Sequence, residues 1–387
     1  MSPNDKTNIG PNTRLVSTGR DPAQQHGFVN TPVYHGSTVL YDSADDLFAH
    51  RSRYSYGRRG SPTIDALTQA MTELEGAENT VLVPSGLAAV TTALLAAAGS
   101  GDHLLVADSV YQPNRHFCDT VLARMGVETT YYDPLIGADI AGLFRPNTRA
   151  VFTESPGSMS FEMQDLPTVA EVAHAQGALV LTDNTWATPL YHKPLKHGAD
   201  LSIQAGTKYI SGHADVLIGS ISANARAWPH LRDTHGALGL TAGPDDIFLA
   251  LRGLRTMGVR LARHWESGLI VARWLRQRPE IARVLHPALE DDPGHAIWKR
   301  DFSGASGLFA IELKPVADAK LRAFLDTLTL FGMGYSWGGF ESLIVPADLR
   351  HRTLPSPFKG PGLRLHIGLE EPADLIADLE NGLAALA

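Results

Sequence analysis

Apolar residues along the chain follow two rhythms. Short runs such as Val81-Leu82-Val83, Leu104-Leu105-Val106 and Leu179-Val180-Leu181 stop where polar residues appear. Between them lie longer stretches with apolar side chains at every third or fourth position. The runs predict buried strands at 80–84, 103–106, 129–132, 150–153, 178–181, 201–203 and 216–222. The spaced stretches predict helices at 64–75, 87–98, 114–125 and 166–176. Strands separated by ten or more helical residues need crossover connections, so the expected fold class is α/β, with a mainly parallel sheet of about seven strands covered on both faces. Residues 247–278 keep one apolar face through Leu249, Leu254, Met257, Leu261, Trp265 and Leu269, the pattern of a long helix joining two domains. Beyond it, strands at 307–313 and 363–367 alternate with helices at 317–328 and 373–386. The expected division is an N-terminal arm over 1–60, an α/β domain over 61–255 and a smaller C-terminal α+β domain over 256–387. The arm is rich in Pro, Asn, Gly and Arg and has little periodicity, so it is expected to need a partner surface for order.

With 387 residues a large core is available. The net charge of −8 is spread without a basic block, so neither nucleic acid nor an anionic membrane is an expected partner. The first residues lack the charged start and apolar run of a secretory signal, and the most apolar region, 81–98, is broken by Pro84, Ser85 and Gly86. Cys118 is the only cysteine. That excludes an internal disulfide framework and a multi-thiolate metal site, and fits a cytoplasmic protein.

Several common sites are absent by counting: no glycine trio has dinucleotide-binding spacing, no Gly-Lys pair anchors a phosphate loop, and the sixteen histidines show no ligand spacing. No metal is expected. Gly334-Tyr335-Ser336-Trp337-Gly338 does match a nucleophile elbow, with Asp348 and His366 after it in hydrolase order. That elbow needs a helix behind it, yet a short apolar run, Leu343-Ile344-Val345-Pro346, follows.

The more informative pairing lies mid-chain. Asp183 and Lys208 each follow a predicted strand, 25 residues apart, and so are expected at the same edge of a parallel sheet. An amine able to form a Schiff base, near a carboxylate able to keep a pyridine nitrogen protonated, is what pyridoxal 5'-phosphate (PLP) requires. Ser85-Gly86-Leu87 opens a predicted helix, whose unpaired N–H groups suit a phosphate. Tyr56 and Arg58 stand in the turn-prone segment that ends the arm; an arginine there is either solvated or forks onto a phosphate.

These stretches resemble the PLP-dependent enzymes of cysteine and methionine metabolism, of fold type I. The resemblance runs in order through Tyr56-Gly57-Arg58-Arg59-Gly60, Pro84-Ser85-Gly86, Tyr111-Gln112-Pro113, Glu154-Ser155-Pro156-Gly157-Ser158, Asp183-Asn184-Thr185-Trp186, Thr207-Lys208-Tyr209, Tyr335-Ser336-Trp337-Gly338-Gly339 and Arg364-Leu365-His366-Ile367-Gly368. It implies that Lys208 carries PLP and moves protons, and that Asp183 pairs with the ring nitrogen. Tyr111 would stack on the ring. Gly86, Leu87 and Thr207 would hold the phosphate, joined by Tyr56 and Arg58 of a neighbouring subunit. Arg364 would clamp a substrate α-carboxylate, with Tyr335, Ser336 and Trp337 lining that pocket. Some relatives carry serine where Ala205 stands, so one phosphate hydroxyl is expected to be missing.

The resemblance further implies a homo-oligomer, at least a dimer and by resemblance a tetramer, acting on a small amino-acid substrate. The expected reaction is carbon–sulfur β-elimination of L-cystathionine to homocysteine, pyruvate and ammonia, a step of methionine biosynthesis. The alternatives are a γ-lyase or γ-synthase of the same family, methionine γ-lyase-like activity, a non-catalytic PLP-binding protein and, remotely, a serine hydrolase. Three positions favour β-elimination by this resemblance. Tyr111 is followed by Gln112-Pro113, where γ-acting relatives commonly have glycine. Tyr335 and Trp337 stand where those relatives commonly have glutamate and leucine.

Overall fold

In the computed structural model, which describes residues 9–386, eleven strands form two sheets. The large sheet contains β1 (Asn79–Val83), β2 (His103–Ala107), β3 (Glu128–Tyr132), β4 (Thr148–Glu154), β5 (Leu179–Asp183), β6 (Leu201–Ala205) and β7 (Gly219–Ala223), in the order β1-β7-β6-β5-β4-β2-β3. The small sheet contains β8 (Ile281–Leu285), β9 (Leu308–Leu313), β10 (Leu343–Pro346) and β11 (Gly362–His366), in the order β10-β11-β9-β8, and all its pairings are antiparallel. The two architectures follow from connection length. Most links between β1 and β6 pass through a helical segment, and β3, β2, β4, β5 and β6 pair in parallel.

One link departs from that rule. Residues 206–218 contain no helix of their own, so β7 returns antiparallel to β6 and also pairs antiparallel with β1. The sequence places a strand at 216–222; it begins at Gly219, because Thr207 and Ile218 close the loop on each other. The Thr207 N–H and hydroxyl both donate to Ile218 O, and the Ile218 N–H donates to the same hydroxyl.

Local chemistry sets the flanking helices. Ser61 caps the helix Pro62–Glu75 by accepting the Ile64 N–H, and Gly76 ends it with φ of 68°. The sequence pattern detects the apolar face from residue 64 but not the cap three residues earlier. On one face of the large sheet the helices Gly86–Ala97, Leu166–Ala175 and Trp228–Leu238 share a core with Leu105, Val151 and Val180. On the other, Pro62–Glu75 packs against Pro244–Leu275. This 32-residue helix belongs to two cores. Ile247, Leu254 and Leu261 pack with Tyr209 and Leu67, whereas Val271 and Leu275 pack beneath the small sheet with Phe309 and Leu365. The division placed after residue 255 lies inside this helix.

The arm contains short helices at Pro11–Ser17 and Ala44–Ala49; its first eight residues lie outside the described residues. Leu15 is buried, and Arg255 donates to Leu15 O and Thr18 O, 2.7 Å each. Farther along, Phe28, Leu40 and Phe48 are 71–85% exposed, a set of large apolar side chains left uncovered by their own chain.

Glu75 ends its helix with its side chain fully buried. Gln204 donates to Oε1 at 2.9 Å, and Oε2 is without a partner. Burial raises its pKa from 4.5 to about 7, against the opposing hydrogen bonds and the charge of Lys193. The folded chain therefore favours the neutral acid. This contribution to stability is fully present below about pH 4.5 and lost as pH rises through about 7, a change on the order of 3 kcal/mol. Glu75→Gln should remove the titration. In urea unfolding its stability relative to wild type is expected to increase between about pH 5 and pH 8, whereas a gap independent of pH would contradict the assignment.

Candidate active site

The C-terminal ends of β4, β5 and β6 open onto a cavity of about 650 Å³ between the two sheets. Lys208, Asp183, Tyr111, Gly86, Leu87, Thr207, Tyr335, Ser336, Trp337 and Arg364 all line it. They come from six separate stretches of chain, brought together by the parallel register and the return loop.

Lys208 sits in the 206–218 loop, just beyond β6. Its Nζ donates to Ser336 Oγ at 2.6 Å and lies 5.2 Å from the centre of the Trp337 ring. Burial, and then the charge of Arg364, lower its pKa to about 8, opposed by Asp183. The neutral amine, the form that attacks a carbonyl, is therefore far more populated near neutral pH than in a solvated lysine. Asp183 ends β5. Thr185 donates to its Oδ1 from both N–H, at 2.9 Å, and hydroxyl, at 2.5 Å. Burial raises its pKa, while Thr185 and Lys208 hold it down.

Arg364 is buried on β11. It has one hydrogen bond, from Nη2 to Ser336 O at 3.3 Å, and burial lowers its pKa to about 10. No carboxylate of the described chain pairs with it. A desolvated guanidinium with most of its donors unused is a receptor for a carboxylate.

The turn 336–339 presents three of these contacts. Ser336 has φ of 92° and Gly338 of 84°. A Cβ on Gly338 would come within 2.9 Å of the Lys208 carbonyl carbon and the Tyr209 nitrogen. Glycine lets the turn pass directly over the lysine backbone. The same geometry dismantles the hydrolase triad. No helix follows Ser336, His366 Nε2 lies against Gly338 N and Gly339 O, both at 3.1 Å, and Asp348 pairs with Arg350.

The fit to PLP can be tested on the chain itself. Ser85 accepts the Ala88 N–H on its hydroxyl and the Ala89 N–H on its carbonyl, while the first-turn N–H groups of Gly86 and Leu87 have no intrahelical acceptor. A Cβ on Gly86 would lie 2.5 Å from Ala205 Cβ, so the residue that replaces a hydroxyl also packs the phosphate cradle. A half-buried amine, a carboxylate at the end of the adjacent strand and a helix N-terminus together match the aldehyde, the ring nitrogen and the phosphate. The Thr207 hydroxyl lines the cavity but already closes its own loop. Tyr56 and Arg58 lie outside the cavity of their own chain: Tyr56 is 47% exposed, and Arg58 donates to Gly236 O at 3.4 Å.

Sequence reasoning gave no role to Glu154, at the end of β4, or to a cluster at the far wall. There Asp108 accepts hydrogen bonds from Arg115, Arg352, Thr353 and Leu354, and Arg352 also donates to Glu162 at 2.7 Å. This cluster ties the segment between β10 and β11 to the large sheet across some 245 residues, a span over which no spacing rule operates.

A sequence model of the Cys/Met metabolism PLP-dependent enzymes matches residues 12–384, and the chain belongs to that family. It is a PLP-dependent lyase. The cystathionine beta-lyase MetC of Escherichia coli is 45% identical, with 97% of this chain and 98% of that protein aligned. The cystathionine beta-lyase of Haemophilus influenzae is 42% identical over 99% of this chain and 100% of its own length. Among solved structures, cystathionine gamma synthase from Xanthomonas oryzae in complex with aminoacrylate and cysteine superposes with a TM-score of 0.91 at 34% identity, covering 98% of this chain and 99% of that one.

Gly338→Ala should be costlier than Gly27→Ala. Both positions have positive φ, 84° and 89°, but only the first meets backbone atoms. We expect a loss of about 1–3 kcal/mol at Gly338 beyond that at Gly27, read from urea unfolding of the two variants. Equal losses would mean that the turn does not rest on Lys208.

Proposed function

We propose that this chain catalyses β-elimination of L-cystathionine, which with water gives homocysteine, pyruvate and ammonia. The observation that carries the proposal is the half-buried Lys208 amine, held by Ser336 between the Asp183 carboxylate and the unpaired Arg364 guanidinium. When bound, PLP supplies an electron sink conjugated to the substrate Cα.

The chain's own residues do the rest. Lys208 carries the cofactor, removes the proton from the substrate Cα and delivers one to the departing sulfur. Asp183, whose carboxylate form is favoured by Thr185 and Lys208 against the effect of burial, would hold the proton on the ring nitrogen. Arg364 binds the α-carboxylate and so sets the substrate's orientation. Tyr111 covers the ring, and Gly86, Leu87 and Thr207 hold the phosphate. Tyr335, Ser336 and Trp337 wall the substrate pocket without placing a carboxylate there, which supports β- over γ-elimination. The high identity to two β-lyases supports the same choice.

The working unit in this reading is a homo-oligomer, a dimer at least and a tetramer by family resemblance, in the cytoplasm. Tyr56 and Arg58 would complete the phosphate site of a neighbouring subunit, which suits their position outside their own cavity and the uncovered Phe28, Leu40 and Phe48 nearby in sequence.

A single incubation with L-cystathionine, followed by chromatography of the 2-oxo acids, tests the reaction. Pyruvate is expected; dominant 2-oxobutyrate would replace β- by γ-elimination. Lys208→Ala should fold and lose turnover by at least about 10²–10⁴-fold, and near-normal pyruvate formation by that variant would reject the assignment. Arg364→Ala should raise KM by about 10–100-fold, the worth of a charge-assisted hydrogen bond. Mixing Lys208→Ala with Arg58→Ala and letting subunits exchange should restore pyruvate formation, because some sites then receive both residues intact. No recovery after proven exchange would rule out a shared site.

A further inference from the structure

Glu154 is a titratable group that the chemistry above leaves unused. It ends β4 directly beside Asp183 on β5: the two are register partners in a parallel pair, and so have the same facing. Both line the cavity. Two carboxylates on adjacent strands do not both ionise readily in a partly dehydrated pocket.

Their surroundings decide which one keeps its proton. Asp183 receives two hydrogen bonds from Thr185 and the attraction of Lys208. Glu154 receives one, from the Tyr111 N–H to Oε2 at 2.7 Å, and pairs with no lysine or arginine of the described chain. The cations facing the cavity are Lys208, Arg364, Arg115 and Arg352. Arg115 and Arg352 are engaged with Asp108, and Arg364 bonds Ser336 O. Burial, and then the charge of Asp183, push the Glu154 carboxyl well above the ordinary carboxylate range, against the single Tyr111 N–H.

The Glu154 bond is also the anchor of Tyr111. That tyrosine is 43% exposed, stands just before the short helix Gln112–Phe117, and its hydroxyl has no hydrogen-bond partner among the described residues, so the backbone bond to Glu154 fixes where its ring begins.

We propose that Glu154 is a positioning residue of this site: as an uncharged acid it accepts the Tyr111 N–H, fixing the tyrosine at the cofactor face, and it leaves Asp183 as the one anion for the ring nitrogen. This inference rests on the roles proposed above for Asp183 and Tyr111. An acceptor oxygen is needed at position 154; a negative charge is not.

Two substitutions in the holoenzyme separate those needs, read through PLP dissociation by absorbance and dialysis and through the pH dependence of the visible cofactor band. Glu154→Gln keeps a neutral acceptor, and its PLP affinity and band profile are expected within about twofold of wild type. Glu154→Ala removes the acceptor and should weaken PLP retention by about tenfold or more, the worth of a buried hydrogen bond to a backbone group. If Glu154→Gln is as impaired as Glu154→Ala, the charge matters and the proposal is overturned. It is equally overturned if Glu154→Ala retains PLP like wild type. Should Glu154→Ala not fold, Glu154→Gln still decides, together with the infrared difference between Glu75→Gln and Glu75→Gln/Glu154→Gln, in which Glu75 no longer contributes: loss of a protonated-carboxyl band on the second substitution is expected, and no such loss would refute the uncharged acid. Wild-type protein that shows no cofactor band at all would instead count against the proposed function.

Discussion

The cost of keeping an amine out of water governs the middle of this molecule. A lysine at the surface holds its proton tightly; Lys208 is brought down to about 8 because the protein removes solvent from it and places Arg364 nearby. Neither could be done by one domain. The loop that carries Lys208 comes from the large sheet, while Ser336, Trp337 and Arg364 come from the small one and close over it. The interface between the two domains is therefore the place where the amine acquires its reactivity, and the long helix Pro244–Leu275, sharing both cores, keeps that interface in register.

The reversed strand β7 has a similar consequence. A helical crossover after β6 would have led the chain away from the sheet edge, as it does after the other parallel strands. The short return through residues 206–218 instead keeps thirteen residues at the mouth of the cavity, closed by the Thr207–Ile218 bonds and roofed by the Gly338 turn. Close approach depends on residues without bulk. Gly86 meets Ala205, Gly206 meets Ile218 and Gly219 meets the Ser85 carbonyl, each within 3 Å of where a Cβ would stand. Ala205 in this setting fills a contact that a larger residue would crowd.

What was legible in the sequence was what local rules control. Runs such as Leu104-Leu105-Val106 announce buried parallel strands because both faces are covered, and Ser85-Gly86 announces a helix start because the cap chemistry is local. Asp183 and Lys208 could be paired because each follows such a run. The reversal of β7 was not legible, since a strand's apolar pattern is the same in either direction. Glu154 stood in a stretch already marked by resemblance, yet its significance lies in the neighbour it faces across the sheet, and register is set by the whole fold. The Asp108 cluster was invisible for the same reason: Arg352 and Thr353 read as an ordinary polar loop until the fold lays that loop against the segment leading to Tyr111.

The distribution of charge in the cavity then has a simple logic. Each cation or anion that structure alone requires is already paired: Arg115 and Arg352 share Asp108, and Arg352 also holds Glu162. These groups fix the far wall, and they are as buried as the groups that do chemistry. The ones left short of partners are Arg364, with a single carbonyl, and Asp183, whose only donors come from its own turn. An unpaired buried charge costs several kcal/mol, and a stable fold retains it where a ligand supplies the missing partner. In the proposed function a substrate carboxylate would answer Arg364 and a protonated ring nitrogen would answer Asp183. Binding would thereby be coupled to stability, because each ligand charge would offset a desolvation cost that the buried group carries.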